Sequence, residues 1–489
     1  MMKPRYKFQW YQEIYRGTAR IHEEARQVAR ELGIEWVGGR VGLNPGSSSC
    51  PGPLPNYVLN AVIAANRVPV YPMRKAGDEL REVVKDLYGD EYDAAAANTC
   101  EAGMRVVYET LFAPPTFRKG DAYRARFIFP YGEDFDFPGA YGRPFPPRYK
   151  NLFVDRSATA GELSVEGKSL TNLDVIFVRL AGVKYEPHGI KFNPVPLMTR
   201  MDHARSFERI VKAAERHAAE LSGFTMVGYD TPGYGGNEKD EKGVPHLMKL
   251  VGQLADEYDV PFVIDAAGSA PVFWPHLKDI GADIMLWSTD KAVRAPISGL
   301  IVGKEELMVP VRKALGYGGG RFGEVSSHSK ALFSLSDPGR DSVVGLVALL
   351  RMLRDHPEKI KRPIDQLHQI VLEEFASFTP HRLRDRLLIT KSYPFGGTEV
   401  NYEQTWSEEE FGIPIFNAED MYANTNPIMS ALDEMGIYPP PIYSGNMMIA
   451  PGLGTLDEEG ELLEEPARLA VRGLVKATEI VCRVAGLVD

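Results

Sequence analysis

Cysteine is scarce in this chain: Cys50, Cys100 and Cys482 are the three in 489 residues. They are far apart, and none has a histidine at metal-ligand spacing, which argues against a disulfide framework and against a zinc site. A reducing cytoplasm is the expected compartment. Long apolar runs are missing as well. No stretch of about 18 apolar residues occurs, and the opening Met-Met-Lys-Pro-Arg-Tyr-Lys leads into no apolar core of signal-peptide length, so neither export nor membrane insertion is expected. There is no basic stripe either: the formal charge is −10 and the Lys and Arg residues are dispersed, which disfavours tRNA or any other nucleic acid as a partner. The Gly-rich strand-to-helix fingerprints of P-loop and dinucleotide-binding folds are absent, since the GYGGG run at 316–320 lacks their context. We find no internal repeat and no low-complexity tract.

The composition, 44% hydrophobic and 25% charged, is that of a globular protein, and the length calls for two or three packed units. Good helix formers run from Trp10 to Leu32 and should stop before Gly33, a suitable C-terminal cap; they read as an N-terminal arm. The stretch LNPGSSSCPGPLP, 43–55, is too rich in Pro and Gly for regular structure. Beyond it the chain alternates. Helices are expected at 77–88, 101–112, 201–221 and 244–258. Strands are expected at 126–129, 173–180, 225–229, 261–264, 283–287 and 299–302, with a small-residue run at 94–97. Alternation of this kind predicts an α/β fold with a mainly parallel sheet covered by helices on both faces. Near residue 335 the texture changes to a long amphipathic helix ended by Pro357 and then to a mixture of strands and helices. The expected units are residues 1–75, an N-terminal arm and helices; 76–335, a large α/β unit; and 336–489, a smaller α+β unit. The aromatic, Pro- and Gly-dense segment 123–149 suits an insertion over a pocket or a subunit contact.

The chemistry is concentrated in Val263–Gly303, VIDAAGSAPVFWPHLKDIGADIMLWSTDKAVRAPISGLIVG. Asp265 ends one apolar strand and Lys291 lies just past the end of the next. In an open α/β sheet both face the edge where ligands bind, outside the carboxyl ends of the strands. Taken singly, a strand-end aspartate is commonly a turn residue and a lone lysine is usually on the surface. Together they suit pyridoxal phosphate: a lysine amine condenses with its aldehyde as a Schiff base, and an aspartate keeps the ring nitrogen protonated so that the ring accepts electrons. A second feature is the polar turn Asn98-Thr99-Cys100-Glu101, which opens a helix. Thr99 and the backbone of Cys100 are candidates for cradling the phosphate, although a Thr before a helix is also an ordinary N-cap. Ser288, three residues before the lysine, is a further phosphate donor candidate.

These residues carry a resemblance. Asp265-Ala266-Ala267, Gly281-Ala282-Asp283, Ser288 through Lys291, Arg294 and Pro296, and the Pro338-Gly339-Arg340 turn into VVGLVALL together resemble the selenocysteine-synthase-like branch of the fold-type-I pyridoxal-phosphate enzymes, over roughly residues 80–355. The resemblance implies an aminotransferase-like fold with a seven-stranded type of sheet, Lys291 as the Schiff-base lysine and Asp265 as the ring partner. By its order in the chain, Asp230 or Thr231 would stand beside the phenolic oxygen. Tyr131, or alternatively Phe135, would stack on the ring, and Ala267 would lie close on its opposite face. It also implies a homodimer or larger homo-oligomer, with the arm and the run 316–323 reaching across the interface.

An amino-acid-type substrate needs a cation for its carboxylate, and Arg294, Arg340 and Arg321 are the candidates; His276 and His328 are weighed as proton shuttles. The branch contains elimination and β-replacement enzymes, so a lyase acting by α-proton abstraction and β-elimination or β-replacement is the leading expectation. An aminotransferase or decarboxylase is the alternative. A non-catalytic scaffold of the same fold is the distant one, and an intact Asp and Lys pair speaks against it.

Overall fold

A computed structural model of the chain describes residues 7–34, 41–47, 50–112, 126–131, 164–165, 168–169, 191–196, 203–228, 239–316, 336–406, 410–416, 420–421, 424–443 and 445–488. Its centre is a seven-stranded sheet. In chain order the strands are β1 Tyr92–Ala97, β2 Arg126–Tyr131, β3 Lys191–Pro196, β4 Leu221–Val227, β5 Phe262–Asp265, β6 Ile284–Ser288 and β7 Gly299–Lys304. They lie in the order β1-β7-β6-β5-β4-β2-β3. The run from β6 to β3 is parallel throughout; β7 is antiparallel to both its neighbours. The reason is the loop 289–298, which is shorter than the dozen or so residues a parallel crossover needs, so the chain turns straight back. The α/β fold with a mainly parallel, helix-covered sheet is thus borne out.

β1, β4, β5 and β6 are buried along their whole length, as expected of strands covered on both faces. One face packs on the helices Met73–Tyr88, His246–Glu257 and Arg340–Asp355 through residues such as Leu80, Val251 and Leu346. The opposite face packs on Cys100–Leu111 and Glu305–Ala314 through Met104, Val107 and Met308. At the edge away from the site, Asp93 is fully buried, accepts from Arg81 Nε at 2.8 Å and is ion-paired with the fully buried Arg312.

β3 was not expected. Its KFNPVP carries two prolines, which cannot donate to a ladder and are confined to edges; β3 is an edge strand. The strand expected at 173–180 lies outside the described residues, as does most of the segment 123–149.

The C-terminal part forms a four-stranded sheet of β8 Leu388–Ser392, β9 Gly397–Asn401, β10 Ile442–Tyr443 and β11 Asn446–Ile449, in the order β8-β9-β11-β10. One face, with Val400, Met447 and Ile449, packs on the helices Glu358–Phe375 and Glu464–Val484. The N-terminal helices Lys7–Arg16 and Thr18–Glu31, divided at Gly17, join this same core: Trp10 Nε1 donates to Ala485 O at 2.7 Å and Tyr11 OH to Ile415 O at 2.6 Å. The second helix ends at Glu31, with Gly33 in the left-handed conformation. Among the described residues no helix is long and apolar enough to cross a membrane, and no group of three or more His, Cys, Asp or Glu stands ready to hold a metal ion.

Candidate active site

The ladder register brings the chemical residues to one edge of the large sheet. Gly299, which opens β7, is paired with Ala97 on one side and Ser288 on the other, so the ends of β1 and β6 are level. Asp265 is paired with Leu286 of β6 and with Val227 of β4. Neighbouring strands lie about 4.8 Å apart, which sets Asp265, Ser288 and the turn 98–100 side by side along this edge. Lys291 follows three residues after Ser288.

Asp265 is 2% exposed, and its Oδ1 accepts the N–H of Ala267 at 3.1 Å. Carbonyl and N–H groups on either side of it are tied down: Gly228 N–H donates to Asp265 O at 2.7 Å and Ala266 N–H to Leu286 O at 2.8 Å. The backbone thus takes part in holding the carboxylate. Ala267 is buried against Cys100 and Val227 in one apolar cluster. Lys291 is half-buried and makes no hydrogen bond or ion pair with any described residue. Two loops wrap its turn. Gly46 has φ +130°, and a Cβ there would lie 2.6 Å from Gly52 N and 3.3 Å from Asp290 O, so only glycine lets the loop 43–55 press this close. From the small sheet, the β8–β9 turn meets Ala292 at Gly396, and Pro394 O accepts from Ala270 N–H at 2.6 Å.

Thr99 is the N-cap of the helix Cys100–Leu111, its Oγ1 accepting from Ala102 N–H at 3.0 Å. The ordinary capping role is thus filled, and the positive end of the helix still faces the sheet edge. A Cβ at Gly299 would lie 2.4 Å from Thr99 O and 2.7 Å from both Cα and N of Cys100, so the helix start sits directly on the β7 backbone. Ser288 Oγ donates at 2.6 Å to Asp290, itself 2% exposed; sequence reading passed over Asp290, although its place between Ser288 and Lys291 was the available signal. The remaining face is closed by the C-terminal part, whose Phe395, Tyr443, Met448 and Ala450 share the cluster of Cys100 and Ala267.

The three arginines part company. Arg340 is on the surface, donating to Asp341 Oδ1 at 2.7 Å and also to Asn66. Arg294 is 6% exposed at φ +55°, and burial lowers its pKa, with Tyr57 and Asp457 acting in opposition; burial in turn pushes Tyr57 up to about 12. Arg321 lies outside the described residues. His276 is a structural N-cap: its Nδ1 accepts from Lys278 N–H at 3.2 Å and its Nε2 meets Tyr88 O at 2.8 Å. Both ring nitrogens are engaged in these contacts. Asp230, Thr231, Phe135, His328 and the side chain of Tyr131 also lie outside the described residues.

No family model matches the chain, and no curated protein matches its sequence. Solved structures do. The chain is similar to a multiple substrate aminotransferase from Thermococcus profundus, at 13% identity and a TM-score of 0.50, with 93% of this chain and 95% of that one covered. It is similar also to taurine:2-oxoglutarate aminotransferase from Bifidobacterium kashiwanohense, solved in complex with PLP and glutamate, at 12% identity and a TM-score of 0.50, with 88% and 86% covered. These likenesses establish the class by architecture: the chain has the aminotransferase-like α/β fold expected from its sequence.

Proposed function

We propose that this protein is a pyridoxal-phosphate-dependent enzyme acting on an amino-acid-type substrate. The observation that carries the reading is a lysine amine with no described partner, on the same sheet edge as a buried, backbone-held aspartate and a helix N-terminus. The donor set suits the cofactor. The close seat of Thr99 and Cys100 on Gly299, which a Cβ would fill, supports a phosphate cradle at the helix start. Ser288 is a weaker candidate for the phosphate, since its hydroxyl already donates to Asp290.

Pyridoxal phosphate supplies an electron sink for negative charge at the substrate Cα. Each residue then has a task. Asp265 would hold a proton on the ring nitrogen. Lys291 would hold the cofactor, and its amine would take and return the proton at the substrate Cα. Ala267 leaves room for the ring beside the strand end, and Tyr131, Asp230 and Thr231 are proposed around its other sides. The C-terminal cluster of Phe395, Tyr443 and Met448 excludes water from the same edge.

The reaction class we favour is a lyase that removes or replaces a β-substituent. It rests on the sequence resemblance to the selenocysteine-synthase-like branch. Transamination or decarboxylation is the alternative, and a homo-oligomer in the cytoplasm is the proposed working state. The test is to incubate the protein with amino acids without any 2-oxo acid. Release of ammonia or of a β-group under these conditions supports the lyase, whereas turnover that demands a 2-oxo acid acceptor overturns it in favour of transamination. A colourless protein unchanged by added pyridoxal phosphate overturns the cofactor reading.

A further inference from the structure

Asp265 and Lys291 stand on separate segments of the large unit. The last ladder pair between β5 and β6 joins Asp265 to Leu286, and Lys291 lies beyond it, in the loop 289–298. Sheet pairing therefore does not by itself fix where the amine stands relative to the carboxylate. One element from the small sheet reaches both segments, the turn between β8 and β9. Its Pro394 O accepts from Ala270 N–H at 2.6 Å, in the segment that follows Asp265. Its Gly396 lies against Ala292, the neighbour of Lys291, so closely that a Cβ there would stand 2.8 Å from Ala292 Cβ and 3.4 Å from its Cα.

The turn is set both from within and from outside. Gly396 has φ +85°, and its N–H donates to Ser392 O and Tyr393 O, each at 3.0 Å. The left-handed backbone and the close approach to Ala292 together call for glycine. Outside, Tyr393 OH and Lys391 Nζ both donate to Asp365 Oδ1, each at 2.6 Å. The Tyr393 ring lies 6.3 Å from that of Phe273. Lys361 Nζ sits 5.2 Å from the Phe273 ring and 5.3 Å from the Tyr393 ring, within the reach of cation–π attraction. Tyr393 thus ties the turn to the helix Glu358–Phe375 on one side and to the segment after Asp265 on the other.

We infer that the β8–β9 turn is a positioning element: Gly396, braced by Tyr393, sets through Ala292 where the Lys291 amine stands relative to Asp265. A misplacement of about 1 Å by a residue away from the chemistry is enough to slow a positioned reaction by about a hundredfold. The consequence for turnover rests on the function proposed above; the control of Lys291 by the turn does not.

The test compares the full-length wild type with Gly396→Ala, Ala292→Gly, the double variant and Tyr393→Ala, each required to keep the wild-type circular dichroism spectrum. Acetic anhydride is applied to cofactor-stripped protein, and acetylation of Lys291 is followed by peptide mass spectrometry against the exposed Lys278 as internal reference. The ratio of the two rates is expected to change severalfold in Gly396→Ala and to change less in Tyr393→Ala. The double variant is expected to match Ala292→Gly, because loss of the Ala292 Cβ vacates the space the new methyl takes. An unchanged ratio in Gly396→Ala, or a double variant that departs from Ala292→Gly as far as Gly396→Ala departs from the wild type, overturns the inference. If Gly396→Ala does not fold, Tyr393→Ala decides, since its side chain is half-buried; a wild-type ratio there overturns the inference. In cofactor-loaded protein, Gly396→Ala is expected to shift the pH midpoint of the visible band and to lower kcat by about tenfold, and both effects should be absent when the double variant is compared with Ala292→Gly. Absence of a visible band in the wild type defeats the functional reading alone, and the acetylation ratios still decide whether the turn controls Lys291.

Discussion

Replacing Gly299 by alanine tests how tightly the helix start is seated on the sheet edge. The new Cβ would stand 2.4 Å from Thr99 O and 2.7 Å from Cys100 N and Cα. All three are backbone atoms, anchored by the 3.0 Å bond from Gly103 N–H to Thr99 O and by the 2.8 Å bond from Asn98 N–H to Ser336 O. Normal contact needs about 3.4 Å or more, so roughly 1 Å of displacement must be shared between β7 and the helix, at a cost of about 1–3 kcal/mol for overpacking. The same displacement spoils the aim of the helix N–H groups at a phosphate. With about 1.5–3 kcal/mol for each hydrogen bond to a charged group, the loss of one weakens cofactor binding by about tenfold or more. Urea unfolding gives the first quantity and titration of pyridoxal phosphate into the cofactor-stripped protein the second. An unchanged unfolding midpoint together with an unchanged cofactor dissociation constant would refute both the packing argument and the assignment of the turn 98–100 to the phosphate.

Three further outcomes are expected. Asp265→Asn should keep the fold, because the amide oxygen can still accept from Ala267 N–H, but lower turnover by about a hundredfold or more, the scale of a positioned ionisable group; steady-state kinetics with circular dichroism as control checks this. Asp93→Asn removes the negative charge paired with the fully buried Arg312 and should cost about 3–5 kcal/mol, read as a shift in the denaturant midpoint. The imidazole of His368 is held below its ordinary range, first by burial and then by Lys391. The unfolded chain therefore binds the extra proton more readily, and this contribution to stability, present above pH about 6.5, is lost as pH falls through that value and below it. His368→Gln should flatten the pH dependence of stability in that window, seen as a smaller drop in melting temperature on acidification than the wild type has.

What could be read from the sequence follows the range of the interactions involved. β5 and β6 were legible because buried parallel strands leave continuous apolar runs, VID and IMLWS, bounded by turn residues, and strand ends then place Asp265 and Lys291 on one edge. The reversal of β7 was encoded in the brevity of the loop 289–298. β3 was hidden by prolines that only an edge position tolerates. The partnership of Trp10 and Tyr11 with the C-terminal core was not legible, since it joins residues more than 400 positions apart. Nor was the difference between Arg294 and Arg340, which is a matter of which carboxylates stand near in space. Asp93 opening a buried strand did carry a signal, a charge where none is affordable alone, but its partner Arg312 is remote in sequence.

A single covalent attachment, at Lys291, decides the proposed function. Treating the purified protein with borohydride, digesting it and mapping the modified peptide by mass spectrometry asks for that attachment directly. A phosphopyridoxyl group on Lys291, absent from Lys291→Ala, is the expected result; a label on another lysine, or none after loading with pyridoxal phosphate, would contradict the account.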